Sequence, residues 1–162
     1  MVVIKRLSET LENGDSIRAI IRATGSNENG RTEGGITQVS ATAQESLIRK
    51  TYLKVGLDFS ETRYVEAHDS DTGGDATEAA ALAAVFSDFR TGSDPLYVGS
   101  CKAKMGHLEG GGGIAGLIKT IFVLEQGIVP QLANIQTLNP RIHARRYHLK
   151  FDKSPSDDLE CI

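Results

Sequence analysis

Two similar units lie between residues 64 and 116, and each consists of a short apolar run, a polar loop with a histidine, and an amphipathic stretch. The first unit carries His68 and the second carries His107. A strand, a loop and a helix repeated in this way predict a βαβ-type arrangement, in which functional side chains gather at the carboxyl ends of the strands. The pattern therefore predicts an α/β fold in which the two imidazoles can reach one pocket.

Hydrophobic periodicity predicts four helices, at 2–12, 41–55, 76–89 and about 109–125. Strands are expected at 16–24, 63–66, 96–99 and 148–151, with an edge or irregular strand opening at Val129. Ser40 is the expected N-cap of the second helix, and Gly56 is its expected C-cap. The last helix is expected to bury its apolar residues, which are Ile114, Leu117, Ile118, Ile121 and Leu124. We expect one domain over residues 1–152 and a polar tail over 153–162.

Composition excludes several classes of function. With 162 residues and 40% hydrophobic residues, the chain is long enough for one domain with a hydrophobic core. A formal net charge of −3 gives no support to binding of nucleic acid or anionic membranes. The sequence shows no apolar run of transmembrane length and no signal-peptide pattern, and its two cysteines form neither a disulfide framework nor a zinc motif. We expect a soluble, cytoplasmic protein.

Two motifs suggest a cofactor or a metal, and each has a simpler explanation. The run from Gly111 to Gly116 satisfies G-x-G-x-x-G, but it does not directly follow a strand and no acidic residue lies about 20 positions on. Close packing of a helix start explains it better, so no nucleotide cofactor is expected. His68, Asp69, Asp71 and Asp75 would suit a hard cation, yet a solvated loop with Asx turns is favoured, so no metal is expected.

The histidines and a cysteine are the candidate catalytic groups. Cys101 follows a predicted strand and precedes Lys102, which would lower the pKa of its thiol, although an inert buried cysteine is the commoner situation. His68 and His107 lie in equivalent loops, and with Lys102 they suggest a general acid/base or oxyanion-stabilising pair. The alternative is that both are ordinary solvated histidines.

The chain resembles the C-terminal half of a β-ketoacyl synthase domain of the fungal iterative polyketide synthase type. The segments that carry the resemblance include 14–22, 44–49, Tyr64-Val65-Glu66-Ala67-His68, Tyr97-Val98-Gly99-Ser100, Gly106-His107-Leu108-Glu109-Gly110, 113–119 and Asn139-Pro140. The resemblance implies a thiolase-like α-β-α-β-α sandwich, of which this chain would be one half with a mixed sheet and packed helices. It also implies that His68 and His107 are the two histidines that join a cysteine in decarboxylative condensation of carrier-protein thioesters. Lys102 would be the family's nearby lysine.

Three departures from the family pattern change what is expected. No segment here resembles the family's nucleophile sequence Asp-Thr-Ala-Cys-Ser-Ser. Asp69 and Asp71 replace two glycines of the family's Gly-Thr-Gly-Thr loop, and Lys104 stands where the family commonly has asparagine. The aspartates should make the pocket acidic, so they join the candidate catalytic residues.

Taken together, these observations favour a ketosynthase-like protein of polyketide biosynthesis without the cysteine nucleophile. It would use histidine acid/base chemistry, in a cyclisation, dehydration or decarboxylation, on a polyketide-derived small molecule or an acyl-carrier-protein thioester. The alternative is a non-catalytic docking or scaffold module that binds a carrier protein or a polyketide synthase. Half of a sandwich exposes apolar surface, so we expect a homodimer or docking onto a polyketide synthase.

Overall fold

The computed structural model describes residues 1–28, 30, 39–68, 73–133 and 137–152, with the backbone alone for residues 73–75. The helices in this part of the chain are α1 (Leu7–Asn13), α2 (Ala41–Val55), α3 (Gly73–Phe86), α4 (Lys102–Met105) and α5 (Gly112–Gln126). Single 3-10 turns cover Phe59–Glu61, Ser87–Phe89 and Glu109–Gly111. The strands are β1 (Tyr64–Glu66), β2 (Leu96–Gly99) and β3 (Leu149–Lys150). The predicted tail 153–162 lies outside the described residues.

The three strands form one parallel sheet in the order β1-β2-β3. Glu66 at the end of β1 pairs with Gly99 at the end of β2, so the two strands finish side by side. Because α3 lies between them in the chain, β1-α3-β2 is the predicted βαβ unit. The α/β fold is therefore confirmed, and the loops after β1 and β2 leave the same edge of the sheet.

The core lies between this sheet and helices α2 and α3. Its largest fully buried side chains are Val85, Phe86 and Leu96, and its other buried members are Ala67, Ala79, Leu82, Val98, Ile142 and Leu149. Tyr52 of α2 stacks on Phe59 with ring centroids 4.7 Å apart, and both rings meet Phe86 edge to face. The two helices that apolar spacing predicts at 41–55 and 76–89 therefore both pack on this core.

The ends of α2 follow the sequence prediction. Ser40 Oγ accepts a hydrogen bond of 3.2 Å from the backbone N–H of Ala43, which satisfies one of the free donors at the start of the helix. Gly56 ends the helix with φ of 64°, a left-handed conformation that costs glycine little.

The strand predicted at 16–24 does not form. These residues carry no ladder hydrogen bonds, and Ile17, Ile20 and Ile21 are exposed. A strand needs a neighbour for its backbone groups, and in the described part of the chain no other strand lies beside this segment. The edge strand expected at Val129 does not form either, although the backbone N–H of Leu132 donates to the carbonyl of Asp152 at 2.8 Å. The first helix begins at Leu7 rather than at residue 2.

Burial of α5 is also less complete than predicted. Ile114 and Leu124 are 51% and 67% exposed, whereas Leu117, Ile118 and Ile121 are half-buried. The buried residues of α5 are Gly116 and Val123. The helix contacts β1 on one side, and its other apolar side has no covering layer among the described residues. Phe89, placed in the third helix by the sequence pattern, lies in the 3-10 turn and is also exposed.

None of the helices that the structure describes has both the length and the apolarity to cross a bilayer.

Candidate active site

His68 lies two residues beyond the end of β1, at the edge where β1 and β2 finish. The backbone N–H of Ala67 donates to the carbonyl of Gly99 at 2.7 Å, which continues the strand pairing one step past β1. The backbone N–H of His68 donates to Glu78 Oε1 of α3 at 3.1 Å, and this leaves the imidazole exposed. The backbone at Ala67 and His68 is thus held on both sides, by β2 and by α3.

Lys102 approaches His68 from the neighbouring loop. It is the first residue of α4, three positions after β2, and its Nζ lies 3.3 Å from Nε2 of His68. An ammonium group only donates hydrogen bonds, so Nε2 of His68 accepts here and the ring proton resides on Nδ1. The contact therefore makes Nε2 of His68 the acceptor and favours the Nδ1–H tautomer.

His107 is held in the opposite tautomer by the backbone. It follows Gly106, whose φ of 74° turns the chain after α4, and its Nδ1 accepts a 2.9 Å hydrogen bond from the N–H of Glu109. A neutral imidazole that accepts at Nδ1 carries its proton on Nε2. His107 therefore presents an N–H donor at the end of its ring.

The two imidazole rings meet edge to face. Their centroids lie 6.2 Å apart and their planes cross at 85°. One small carbonyl or carboxylate group can contact both rings at this spacing. The structure thus brings His68, from the segment after β1, together with Lys102 and His107, from the segment after β2.

A cavity of about 360 Å³ opens beside this group. Its wall includes His68, Glu78, Lys102 and the glycines at the start of α5, Gly112 and Gly113. A volume of this size suits a small organic molecule or the end of a longer acyl chain.

Cys101 lies in the same wall, but its chemistry is unfavourable for a nucleophile. Its thiol is buried, and burial together with the nearby Glu66 carboxylate raises the thiol pKa above its ordinary value of 9.0. The neighbouring Lys102 does not activate it, contrary to the more reactive of the two sequence interpretations. A protonated, buried thiol is the better description.

Asp69 and Asp71 lie outside the described residues, as does the side chain of Asp75. Among the side chains that are described, no three His, Cys, Asp or Glu residues form a metal-binding cluster. His143 lies in the turn before β3, where its ring contacts Tyr147.

Sequence reasoning missed a second cluster directly behind the histidines. Glu66 forms a 2.7 Å ion pair with Lys119 of α5 and accepts a hydrogen bond from the hydroxyl of Tyr64. The available signal was the charge itself, because a half-buried glutamate between Val65 and Ala67 in a short strand needs a partner.

The sequence between residues 18 and 136 matches the family described as "Beta-ketoacyl synthase, C-terminal domain". The chain belongs to this ketosynthase family. It is 48% identical over 156 residues to "Highly reducing polyketide synthase 40" of Fusarium mangiferae, covering 96% of this chain and 6% of that protein. It is 52% identical over 163 residues to "Highly reducing polyketide synthase otaA" of Aspergillus carbonarius, covering 98% of this chain and 6% of that protein.

Solved ketosynthase structures show the same architecture. The ketosynthase from module 6 of the bacillaene synthase of Bacillus subtilis 168, a C167S mutant, has a TM-score of 0.85 and 31% identity. That match covers 93% of this chain and 28% of the solved chain. The oxazolomycin ketosynthase domain OzmH KS7 of Streptomyces albus has a TM-score of 0.84 and 27% identity, with 92% of this chain and 26% of that chain covered. The thiolase-like ketosynthase fold is thereby confirmed.

The chain spans about 6% of the length of the curated relatives that it matches. Both histidine loops lie inside the matched range 18–136. The resemblance to the C-terminal half of a fungal polyketide synthase ketosynthase is therefore confirmed over the part of the chain that holds the candidate site.

Proposed function

We propose that this chain supplies the histidine side of a ketosynthase-type active site, where His68 and His107 perform acid/base chemistry on a polyketide-derived thioester. The observation that carries the proposal is the complementary state of the two imidazoles. His107 offers an N–H donor, and Nε2 of His68 lies as an acceptor beside the ammonium of Lys102. The donor and the cation suit an enolate oxygen, and an accepting ring nitrogen suits proton transfer.

The chemistry common to cyclisation, dehydration and decarboxylation is an enolate intermediate. In a decarboxylation, the bond to the carboxylate breaks, carbon dioxide leaves, and the electron pair moves onto the thioester oxygen next to His107 and Lys102. In an enolisation, His68 accepts the α-proton after the substrate displaces the contact with Lys102. We propose that an acyl carrier protein delivers the thioester, and that Asp69 and Asp71 act as additional acidic groups in the loop after His68.

Acyl transfer is not assigned to Cys101. Its raised thiol pKa disfavours the thiolate that would attack a thioester. The proposal is therefore restricted to steps that need proton transfer and oxyanion stabilisation.

The test is hydrogen–deuterium exchange at the α-carbon of a β-ketoacyl N-acetylcysteamine thioester in deuterated buffer, followed by mass spectrometry. The wild-type chain should accelerate exchange, and His68→Ala and His107→Ala should each lower the rate by about 100-fold or more. His143→Ala is the matched control, since His143 lies in the turn before β3 and should be dispensable. Undiminished exchange in both site variants would refute the proposal.

The exposed apolar residues favour a second role, docking onto a larger synthase polypeptide. Ile20, Ile21, Phe122 and Leu124 are all exposed, and Arg18 ties the first segment to α5 through an ion pair with Glu125. Large apolar side chains that remain exposed to solvent on a folded domain indicate a contact surface. The matched part is only 28% of the module 6 ketosynthase chain, so that relative has ample further chain to cover an equivalent surface.

Mass in solution tests this docking role. Light scattering at micromolar concentration should show association of this chain with a ketosynthase polypeptide, and Phe122→Asp should weaken it. A stable homodimer that excludes the synthase would instead identify a second copy as the occupant. A monodisperse monomer that binds neither would contradict the role. His68→Ala and His107→Ala should retain docking, which separates this role from catalysis.

A further inference from the structure

A single carboxylate links the two loops of the candidate site. Glu66 Oε1 accepts a 2.5 Å hydrogen bond from the backbone N–H of Cys101, the residue immediately before Lys102. Glu66 itself lies two residues before His68. Glu66 is thus close in sequence to His68 and is hydrogen-bonded to Cys101, the neighbour of Lys102. It is therefore linked to both residues of the His68–Lys102 contact.

The other oxygen of this carboxylate is held by α5 and β1. Glu66 Oε2 pairs with Lys119 Nζ at 2.7 Å and accepts from the Tyr64 hydroxyl. The Glu66 and Lys119 side chains are only 10% and 15% exposed, so solvent replaces few of these contacts. Three donors from three segments of the chain therefore fix both oxygens of one carboxylate.

Two glycines make room for this arrangement. A Cβ at Gly99 would lie 2.3 Å from the Tyr64 hydroxyl and 2.9 Å from Lys119 Nζ. A Cβ at Gly116 would lie 3.2 Å from Cγ of Glu66. Gly116, the last glycine of the G-x-G-x-x-G pattern, thus leaves room for the charged side chain of Glu66. This agrees with the packing interpretation of that motif.

We propose that Glu66 is a positioning residue, which holds the loop after β1 and the start of α4 so that Lys102 stays in contact with His68. This inference rests on the proposed function, since it concerns the same histidine pair. The backbone bond to Cys101 fixes the start of α4, and the ion pair with Lys119 fixes the carboxylate that makes this bond. Without the charge, the loop after β2 loses its fixed position, and with it the 3.3 Å contact between Lys102 and His68.

The test is Glu66→Gln, followed by two-bond proton–nitrogen correlation spectra of the labelled imidazoles. In the wild type, His68 should show the Nδ1–H tautomer and His107 the Nε2–H tautomer. In Glu66→Gln, His68 should become a mixture of both tautomers, while His107 keeps its state because the backbone of Glu109 holds it. Thioester exchange at saturating substrate should fall by about 10- to 100-fold.

Glu45→Gln is the matched control. Glu45 also forms an ion pair, with Arg49 at 2.8 Å, but on α2. This variant should leave the tautomers of both imidazoles and the thioester exchange rate unchanged. If Glu45→Gln changed the His68 tautomer and the exchange rate as much as Glu66→Gln does, the proposal would be overturned, because a general loss of stability would then explain both results.

A folded Glu66→Gln variant in which His68 keeps the Nδ1–H tautomer would overturn the inference. If that variant does not fold, Tyr64→Phe is the deciding variant, because it removes one hydrogen-bond donor to the Glu66 carboxylate and keeps the aromatic ring. A partial tautomer change at His68 then supports the role of Glu66, and an unchanged spectrum rejects it. If the tautomers respond as expected but His68→Ala and His107→Ala keep full exchange activity, the proposed function fails while the positioning role stands.

Discussion

The ammonium of Lys102 lies 3.3 Å from Nε2 of His68, and this contact joins the loops that follow two adjacent parallel strands. Because β1 and β2 end side by side, residues far apart in the chain meet at one edge of the sheet. The contact places a positive charge beside an imidazole that is also 6.2 Å, centroid to centroid, from His107.

Lys102→Met should lower the rate of thioester exchange by about tenfold or more, since it removes the cation that stabilises an enolate oxygen. The measurement is the deuterium exchange rate at saturating substrate. Lys104→Met is the control, because Lys104 lies on the same short helix and is exposed. Equal losses in both variants would indicate a disturbed helix rather than a role for the Lys102 charge.

Cys101 should react slowly with iodoacetamide in the folded protein. Burial and Glu66 raise its thiol pKa, so little thiolate exists at pH 8. In a Cys161→Ser background, mass spectrometry should show alkylation at least about tenfold slower than in guanidinium chloride. Faster alkylation of the folded chain would mean an activated thiol and would restore Cys101 as a candidate nucleophile.

Stability should fall in alkaline solution, in part through Tyr64. Burial, the hydrogen bond to Glu66 and the charge of Glu66 all raise the pKa of the Tyr64 phenol above its ordinary value of 10.0. The folded state therefore keeps this proton while the unfolded chain loses it, so the stabilising contribution is present below pH 10 and is lost above it. One such group contributes at most about 1.4 kcal/mol per pH unit.

Tyr64→Phe removes this ionisation. Urea unfolding between pH 8 and 11 should therefore give a shallower alkaline decline for Tyr64→Phe than for the wild type. Parallel declines would show that Tyr64 ionises equally in the folded and unfolded states.

Phe86→Ala should destabilise the fold by about 3–5 kcal/mol, because it leaves a cavity among α2, α3 and the sheet. Phe86 is 1% exposed, whereas Phe89, three residues later, is 42% exposed. Phe89→Ala is thus a matched control and should lower the free energy of unfolding, measured in urea, much less. Equal costs would place Phe89 in the core and contradict the end of α3 at Phe86.

Elements with a local signal could be predicted closely. The cap at Ser40, the stop at Gly56 and the strand Leu96–Gly99 lie where the sequence pattern places them. Their determinants are short-range: a hydroxyl beside free N–H groups, a residue that tolerates positive φ, and a short apolar run bounded by turn residues.

Elements that need a distant partner could not be predicted from pattern alone. The alternation of Ile17, Ala19 and Ile21 is genuine, but a strand also needs an adjacent backbone, and none lies beside it in the described residues. Periodicity likewise identified the apolar side of α5 without showing that Ile114 and Leu124 would stay exposed.

The sequence by itself determined the α/β fold, the two histidine loops and, through its resemblance, the ketosynthase family. Only the tertiary structure decided which ring nitrogens of His68 and His107 accept hydrogen bonds, the raised pKa of the Cys101 thiol, and the place of Glu66 between the ends of β1 and β2. The physical reason is distance along the chain. Periodicity and motifs report neighbours within a few residues, whereas these properties depend on contacts between β1, α4 and α5 that exist only after the sheet has brought their ends together.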